Sequence, residues 1–404
     1  MSTYKGMAAL KAKLQSKQGR IRKRYRFYEM KALAQDLRIS TPEGLEWFRP
    51  VLGWCGKAVD SIADRLVFRE FGNDVFDMNG IFRANNMDVL IDSAILGALI
   101  SSCDFIYISP DESGFPGLQV IEGQYATGVI DPTTNMLKEG YAVLEYDDLG
   151  QPVTEAYLIP GKVQIYEQGK VVGTYHNSAP YPLLVPMVYR PDAVRPFGHS
   201  RISRACMNHV SGAARTIKRS EISAEFYSYP QRYILGMDEN AETGDKWKMA
   251  MSAMLRIDKD EDGDRPVVGQ FQQQTMAPHA EQLRMFAGLF AGETGLTLDD
   301  LGFPSQNPSS AEAIKSSHEN LRLTARKAQR TFGVGLLNAG YLAACIRDDY
   351  PYMRNQVAST ILRWEPIFEP DSSALSVIGD GAIKINQAIP GYIDSEKMKD
   401  MTGV

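Results

Sequence analysis

Asp299-Asp300-Leu301-Gly302-Phe303-Pro304-Ser305-Gln306-Asn307-Pro308-Ser309-Ser310-Ala311-Glu312 divides two helical stretches of unequal length. Before it, Ala280, Leu283, Phe286, Ala287, Phe290 and Ala291 recur three and four apart, the spacing of one helix stripe. Thr294-Gly295 ends that stripe. Pro304 and Pro308 lack amide donors and hold their predecessors extended, so the intervening residues form a loop. Ser309-Ser310-Ala311-Glu312 has the spacing of a capping box, in which a serine oxygen and a glutamate satisfy the first free amides of a helix. From there Ala313, Ile314, Leu321, Leu323, Ala325, Ala328, Phe332, Leu336, Leu337 and Leu342 keep helical spacing almost to Pro351. Gly333, Gly335 and Gly340 predict a bend in this long helix.

Upstream of the stripe stands a partner for it. Ile202, Ala205, Cys206, His209, Ala213, Ile217 and Ala224 predict a helix over about 200–227, closed by Tyr229-Pro230. Its other faces carry Arg201, Arg204, Arg215, Lys218 and Arg219 with no acid before Glu221. Between the two helices lies a compact insert: strands at Arg232-Tyr233-Ile234-Leu235, Leu255-Arg256-Ile257 and about 266–270, and a short helix over about 244–254. A helix of about 28 residues reaches roughly 42 Å at 1.5 Å per residue. Such a pair holds two bodies apart, and its narrow, alanine-rich stripe needs neighbours to complete its packing. A closed ring satisfies identical lateral surfaces.

The N-terminal half reads as helices followed by sheet. Trp47, Val51, Leu52, Trp54, Cys55, Val59, Ile62, Ala63 and Leu66 have helical spacing after a turn at Thr41-Pro42-Glu43, and that segment ends in Arg69-Glu70-Phe71-Gly72. A further helical region is expected from Asn73 to Ile100. Six β-rich runs follow, at 105–108, 118–121, 126–130, 142–146, 156–159 and 163–166, separated by turn signals such as Asp131-Pro132 and Asp148-Leu149-Gly150. This pattern predicts an antiparallel meander in an α+β chain. Pro180, Pro182, Pro186, Pro191 and Pro196 mark an extended connector.

The 404 residues, 44% of them apolar, suffice for a sizeable core. No apolar run near the start resembles a signal peptide, and the most apolar segment, 89–108, is interrupted by Asp92, Ser93, Ser101 and Asp104, so the reading is of a soluble cytosolic chain. The net charge of −5 hides an arm over 1–31, where Arg20, Arg22, Lys23, Arg24, Arg26 and five lysines meet only Glu29. Either that arm contacts nucleic acid or an acidic neighbour, or it is a solvated helix. Tyr25, Phe27 and Tyr28 within it favour docking. Cys55, Cys103, Cys206 and Cys345 lack metal or redox spacing and read as packed thiols. Asp258-Lys259-Asp260-Glu261-Asp262-Gly263-Asp264 copies half a calcium loop, but Gly269 stands where the bidentate acid is needed, so a hairpin turn is expected. The five histidines show no ligand spacing, and no nucleophile elbow, phosphate loop or dinucleotide fingerprint is present. Asp299-Asp300 reads as a turn and cap device. No catalytic, metal or cofactor site is expected.

Five segments in order resemble the portal proteins of tailed bacteriophages, in particular those of long-tailed phages with non-contractile tails. They are Arg24-Tyr25-Arg26-Phe27-Tyr28, the run from Gly53-Trp54-Cys55-Gly56 to Asp64-Arg65-Leu66, Pro196-Phe197-Gly198-His199-Ser200-Arg201-Ile202, Phe226-Tyr227-Ser228-Tyr229-Pro230-Gln231-Arg232-Tyr233, and Leu301 through Ala313. The resemblance covers nearly the whole chain. It implies a ring, usually of twelve subunits, at one capsid vertex of the virion, assembled in the host bacterial cytoplasm. The ring would conduct double-stranded DNA and dock the terminase large subunit, then a head-to-tail adaptor, beside major capsid and scaffolding proteins; no membrane is involved. Residues 1–198 would be the wing, 199–228 and 277–297 the two stem helices, 229–275 the clip, 298–309 the channel loop and 310–347 the long kinked wing helix. Residues 348–404 would supply a return strand at Arg363-Trp364-Glu365-Pro366-Ile367-Phe368 and a short crown. Asp299, Asp300, Ser305, Gln306 and Asn307 would face DNA with weak contacts; Arg201, Arg204, Arg215, Lys218 and Arg219 would line the channel or pair with a neighbouring subunit. Tyr233, Trp247 and Lys248 would meet clip partners. Another capsid-associated structural protein with a DNA-binding arm, and a nucleic-acid-processing enzyme, are the alternatives.

Overall fold

The computed structural model describes residues 4–35, 47–228, 232–235, 267–270, 275–304, 316–368, 370 and 372–402. It divides into two units: Met1–Ala32, Gly53–Met207 and Gly292–Val404 form the first, and Leu33–Leu52 with Asn208–Ala291 the second.

The first unit is built around a three-stranded antiparallel sheet of Cys103–Pro110 (β2), with Pro116–Ile121 (β3) on one side and Leu184–Val188 (β9) on the other. Residues Cys103 to Ile108 are buried at successive positions, hence on both faces of the strand. Met87–Ser101 (α4) and Glu319–Arg347 (α7) both pack on this sheet. Phe332, Leu336 and Leu342 of α7 are fully buried, each stabilising by about 1.5–3 kcal/mol. Packing of this kind, more than intrinsic propensity, sustains a helix of 29 residues.

β9 lies inside the expected proline connector, which is therefore corrected to a strand. Pro186 pairs with Phe105 from an edge strand, the one place in a sheet where a missing amide costs no ladder bond. α7 runs uninterrupted through the glycines expected to bend it. A Cβ on Gly335 would stand 2.5 Å from Met187 Sδ and 3.2 Å from the Pro186 carbonyl, so this glycine lets the helix approach β9. Gly340 does the same toward Met78 of Met78–Ala84 (α3), at 2.7 Å.

A five-stranded meander follows the expected order: Ala126–Ile130 (β4), Leu137–Tyr146 (β5), Pro152–Ile159 (β6), Lys162–Glu167 (β7) and Lys170–His176 (β8). β8 is exposed almost throughout, so it lacks the apolar alternation that betrays a strand in sequence. Phe68–Gly72 (β1), expected as a helix end, pairs antiparallel with Ile361–Trp364 (β12). The helix expected over 47–66 is shorter, Trp54–Ala63 (α2), and the single region expected from Asn73 to Ile100 is two helices, α3 and α4. The break falls at Asn85-Asn86, where Asn86 has φ 53°, a left-handed conformation that asparagine tolerates better than most residues. Ser372–Ala388 (α8) and Ser395–Thr402 (α9) close the chain; Arg363 of β12 pairs with Glu70 at 2.8 Å, with Glu396 and with Asp400.

Met7–Tyr28 (α1) is the basic arm, and it docks. Leu10 and Leu14 pack on Tyr141 and Val143 of β5. Lys13 donates to the Gly128 carbonyl at 2.6 Å, Lys17 to Ala126 at 2.8 Å and Gln18 to Gln124 at 2.9 Å. The two lysines use carbonyls of β4, the sheet's edge, and Gln18 one just before it, and so they cover an otherwise open template for strand pairing. Burial brings the Lys17 ammonium down to about 8.

Asp104 is buried in the middle of β2, accepting from Ser101 Oγ at 2.8 Å and the Gly123 amide at 2.9 Å. Burial raises its pKa against those hydrogen bonds and the Lys17 charge, leaving it at about 7 from an ordinary 3.8. The folded state thus keeps a proton that the unfolded chain releases between pH 4 and 7. Asp104's contribution is full below about pH 4 and declines as pH rises to about 7. Asp104→Asn is expected to lose less stability than the natural chain between pH 5 and pH 8, read from urea midpoints; parallel declines in both proteins would contradict the assignment.

The second unit holds Arg204–Ser228 (α5) from Asn208 onward and Ala277–Thr294 (α6) up to Ala291. Thr216 Oγ1 donates to Gln282 Oε1 at 3.0 Å, Ser223 lies 3.5 Å from His279, and a Cβ on Gly212 would stand 2.6 Å from the Phe286 ring. Contacts advance along α5 as they retreat along α6, so the helices are antiparallel. Arg232–Leu235 (β10) pairs antiparallel with Val267–Gln270 (β11), Tyr233 opposite Gly269. Residues 244–257, with Trp247 and Lys248, and the acidic turn at 258–264 lie outside the described residues, as do Thr41, Pro42 and Glu43.

Candidate functional site

The turn after α6 is fixed before the proline segment begins. Gly295 takes φ +69°, the left-handed conformation that ends a helix cheaply only at glycine. The Asp300 carboxylate accepts from the Thr297 amide at 2.8 Å and the Thr297 hydroxyl at 2.9 Å, and the 3-10 turn Asp299–Leu301 follows with Leu301 buried. Asp300 Oδ2 also lies 3.4 Å from His318 Nε2 at the start of α7. Partial burial works to raise the Asp300 pKa, but the Thr297 hydrogen bonds and His318 hold it below the usual carboxylate range. His318 meets Phe368 edge-on, and the Arg65 guanidinium stands over the Phe368 ring at 5.2 Å.

Asp299 and Asp300, expected as a pair facing DNA, therefore separate. Asp299 is exposed, whereas Asp300 is committed to the turn. Ser305, Gln306, Asn307 and the capping residues Ser309 and Glu312 lie outside the described residues.

The basic side chains expected on the outgoing helix separate too. Arg201 precedes the helix and is buried, with Nε donating to the Ala58 carbonyl at 3.2 Å and Nη2 to the Thr294 carbonyl. That corrects the channel or neighbour reading of Arg201: its guanidinium fastens the end of α6 to α2 inside the first unit. Lys218 is likewise buried, at 4% exposure, which removes it from a free channel surface. Arg204 is exposed, and Arg215 and Arg219 are half-buried.

Of the basic arm, Arg24 turns inward and donates to the Ser101 carbonyl at 2.8 Å, while Arg20, Arg22, Lys23 and Arg26 are exposed. The anchors that sequence reading missed are acids in the meander. Glu139 accepts from the Lys5 amide at 2.7 Å and the Gly6 amide at 3.0 Å, and Glu155 pairs with Lys11 at 2.7 Å. Both acids lie in β5 and β6 but just outside the runs read from the sequence at 142–146 and 156–159, so their burial, which demands a partner, was not visible there.

Among known proteins, the chain is 24% identical over 405 aligned residues to the portal protein of Mycobacterium phage L5, spanning 92% of this chain and 80% of that one. It is 26% identical to the portal protein of Mycobacterium phage D29, spanning 93% and 81%. Over nine-tenths of its length the chain is similar to these two phage portal proteins. No protein-family model matches it. Solved structures that align with it include the virion of a native gene transfer agent particle, at 13% identity and a TM-score of 0.48 over 87% of this chain and 89% of that one. The neck of the native particle, computed with C12 symmetry, aligns at 15% identity and a TM-score of 0.44 over the same shares.

Several segments that carry the portal resemblance have physical work to do in the fold. Arg24 and Tyr28 fasten α1, the tyrosine through Asp60 at 2.9 Å. Phe197 receives the Lys13 ammonium at 4.3 Å from its ring centre. Gly198 has φ +71°, and a Cβ there would overlap the Tyr189 carbonyl, while His199 pairs with Asp192 at 2.6 Å. Gly53 through Leu66 contains α2, whose Cys55, Val59 and Ile62 are buried.

Proposed function

We propose that the chain is the subunit of a portal ring at one capsid vertex, a structural conduit for double-stranded DNA during packaging and ejection and not an enzyme. The similarity to two portal proteins along nine-tenths of the chain carries this reading. The antiparallel α5/α6 pair, with the paired strands β10 and β11 between its helices in sequence and a fixed turn after them, agrees with it. In this reading residues 1–198 are the wing, α5 and α6 the stem, residues 229–275 the clip, and 298–309 the loop toward DNA. The assembly is a ring of about twelve copies. The clip receives the terminase motor and later a head-to-tail adaptor, while the wing meets capsid and scaffolding proteins.

A conduit must position DNA without holding it, because many phosphate contacts would immobilise the duplex. The loop suits this: residues 299–314 contain no lysine or arginine, and Ser305, Gln306 and Asn307 offer uncharged hydrogen bonding. Deleting residues 302–308 is expected to leave assembly intact while lowering the yield of DNA-filled heads at least tenfold, scored by nuclease-protected DNA per particle. Filled heads at the natural yield would remove the loop from the mechanism.

A further inference from the structure

α1 has two unlike faces. Leu10, Leu14, Ile21 and Phe27 are buried, and Lys13, Lys17 and Arg24 spend their charges on backbone carbonyls. At 3.6 residues per turn, Lys23 and Arg26 fall on the side opposite Leu14 and Ile21, with Arg20 and Arg22 on its two borders. All four are exposed. Glu29 is taken by Lys31 at 2.7 Å, and among the described residues Arg20, Arg22 and Lys23 have no carboxylate at ion-pair distance. Arg24 adds a second sign of uncompensated positive charge: burial, then the charges of Arg20 and Arg195, bring its pKa down to about 10. Arg20 and Arg195 therefore stand near Arg24, while Arg22 lies close enough to Glu122 to favour its carboxylate, in a chain whose net charge is −5.

We propose that the outward face of α1, formed by Arg20, Arg22, Lys23 and Arg26 with Arg195 beside it, binds the phosphate backbone of duplex DNA without reading its sequence. An acidic protein segment fits less well. Protein interfaces centre on buried aromatic or aliphatic anchors, and α1 exposes no large apolar side chain between Met7 and Tyr28. The exposed neighbours of the cations are Gln15, Ser16 and Gly19. A phosphate track asks only for cations and polar donors on a firm support. The support is firm, because the buried Leu10, Leu14, Ile21 and Phe27 and the lysine anchors order the helix before any ligand arrives. This surface uses none of the residues of the loop and helix pair of the conduit reading and does not depend on ring formation.

The test is anisotropy titration of a fluorescent 30-base-pair duplex of arbitrary sequence with the full chain, repeated across salt concentrations. Each phosphate contact adds roughly 0.9 to the slope of log affinity against log salt. The fourfold change Arg20→Gln, Arg22→Gln, Lys23→Gln and Arg26→Gln is expected to make the slope shallower by about 3 and to weaken binding at least tenfold at low salt. A control removes the same charge at exposed sites elsewhere in the first unit, Lys57→Gln, Arg83→Gln, Lys138→Gln and Lys170→Gln, and is expected to retain the natural slope. Should the fourfold change lower the helical circular-dichroism signal, Arg22→Gln with Lys23→Gln is read instead, at about half the slope change. An unchanged slope in the α1 variant, an equal loss in the control, or tighter binding of poly-glutamate than of duplex would each overturn the proposal.

Discussion

Gly97→Ala is expected to abolish stable folding of the first unit. A methyl on Gly97 of α4 would overlap Asp104 Oδ2 and stand 2.7 Å from its Cγ. The carboxylate cannot swing aside at low cost, because its other oxygen is held by Ser101 and the Gly123 amide in a fully buried site. Alanine gains about 1 kcal/mol over glycine in a helix interior. Against that stand overpacking of about 1–3 kcal/mol and loss of buried hydrogen bonds to a carboxyl group of about 1–3 kcal/mol each. The net is a loss of about 2–8 kcal/mol, comparable to a domain's whole stability. Denaturant midpoints measure it. Adding Asp104→Ala to Gly97→Ala is expected to recover part of the loss, since the overlap disappears; no recovery would place the damage elsewhere.

The second large effect is expected at Gly212→Leu. A Cβ there already stands 2.6 Å from the Phe286 ring, where α5 and α6 come together. The ring is the far end of a flexible side chain, so Gly212→Ala costs only about 1 kcal/mol as the ring yields. Leucine adds three more carbons in the same direction and forces the helices apart, at about 3 kcal/mol. Loss of the Thr216–Gln282 and Ser223–His279 contacts follows, because both depend on the same spacing. Protection of α5 and α6 amides from hydrogen exchange reports the change, and Phe286→Ala in the same chain is expected to restore part of it. Unchanged protection in Gly212→Leu alone would show that the pair is not held by this contact.

Where a segment's environment is uniform, its sequence betrayed its structure. The meander β4–β7 and the hairpin strands β10 and β11 have β-rich runs between turn residues, and the stripe from Ala280 to Ala291 lies within α6. Misreadings occurred where tertiary context decides. β9 contains Pro186, tolerable only because the strand lies at an edge, and edge position is not visible from the strand itself. β1 is five residues that make sense only beside β12, almost 300 positions later. Gly335 and Gly340 were expected only to bend the helix, and their close approach to Met187 and Met78 depends on elements far away in sequence. Among the charged residues, exposure could not be read from spacing. Arg201 and Lys218 are buried, while the neighbouring Arg204 is exposed.

The central claim is that copies of this chain close into a ring with a passage for duplex DNA. Negative-stain electron microscopy of the purified full-length protein tests it most directly. The account predicts rings with about twelvefold symmetry and a central hole wide enough for a duplex; isolated particles with no ring and no hole, at every concentration tried, would contradict it.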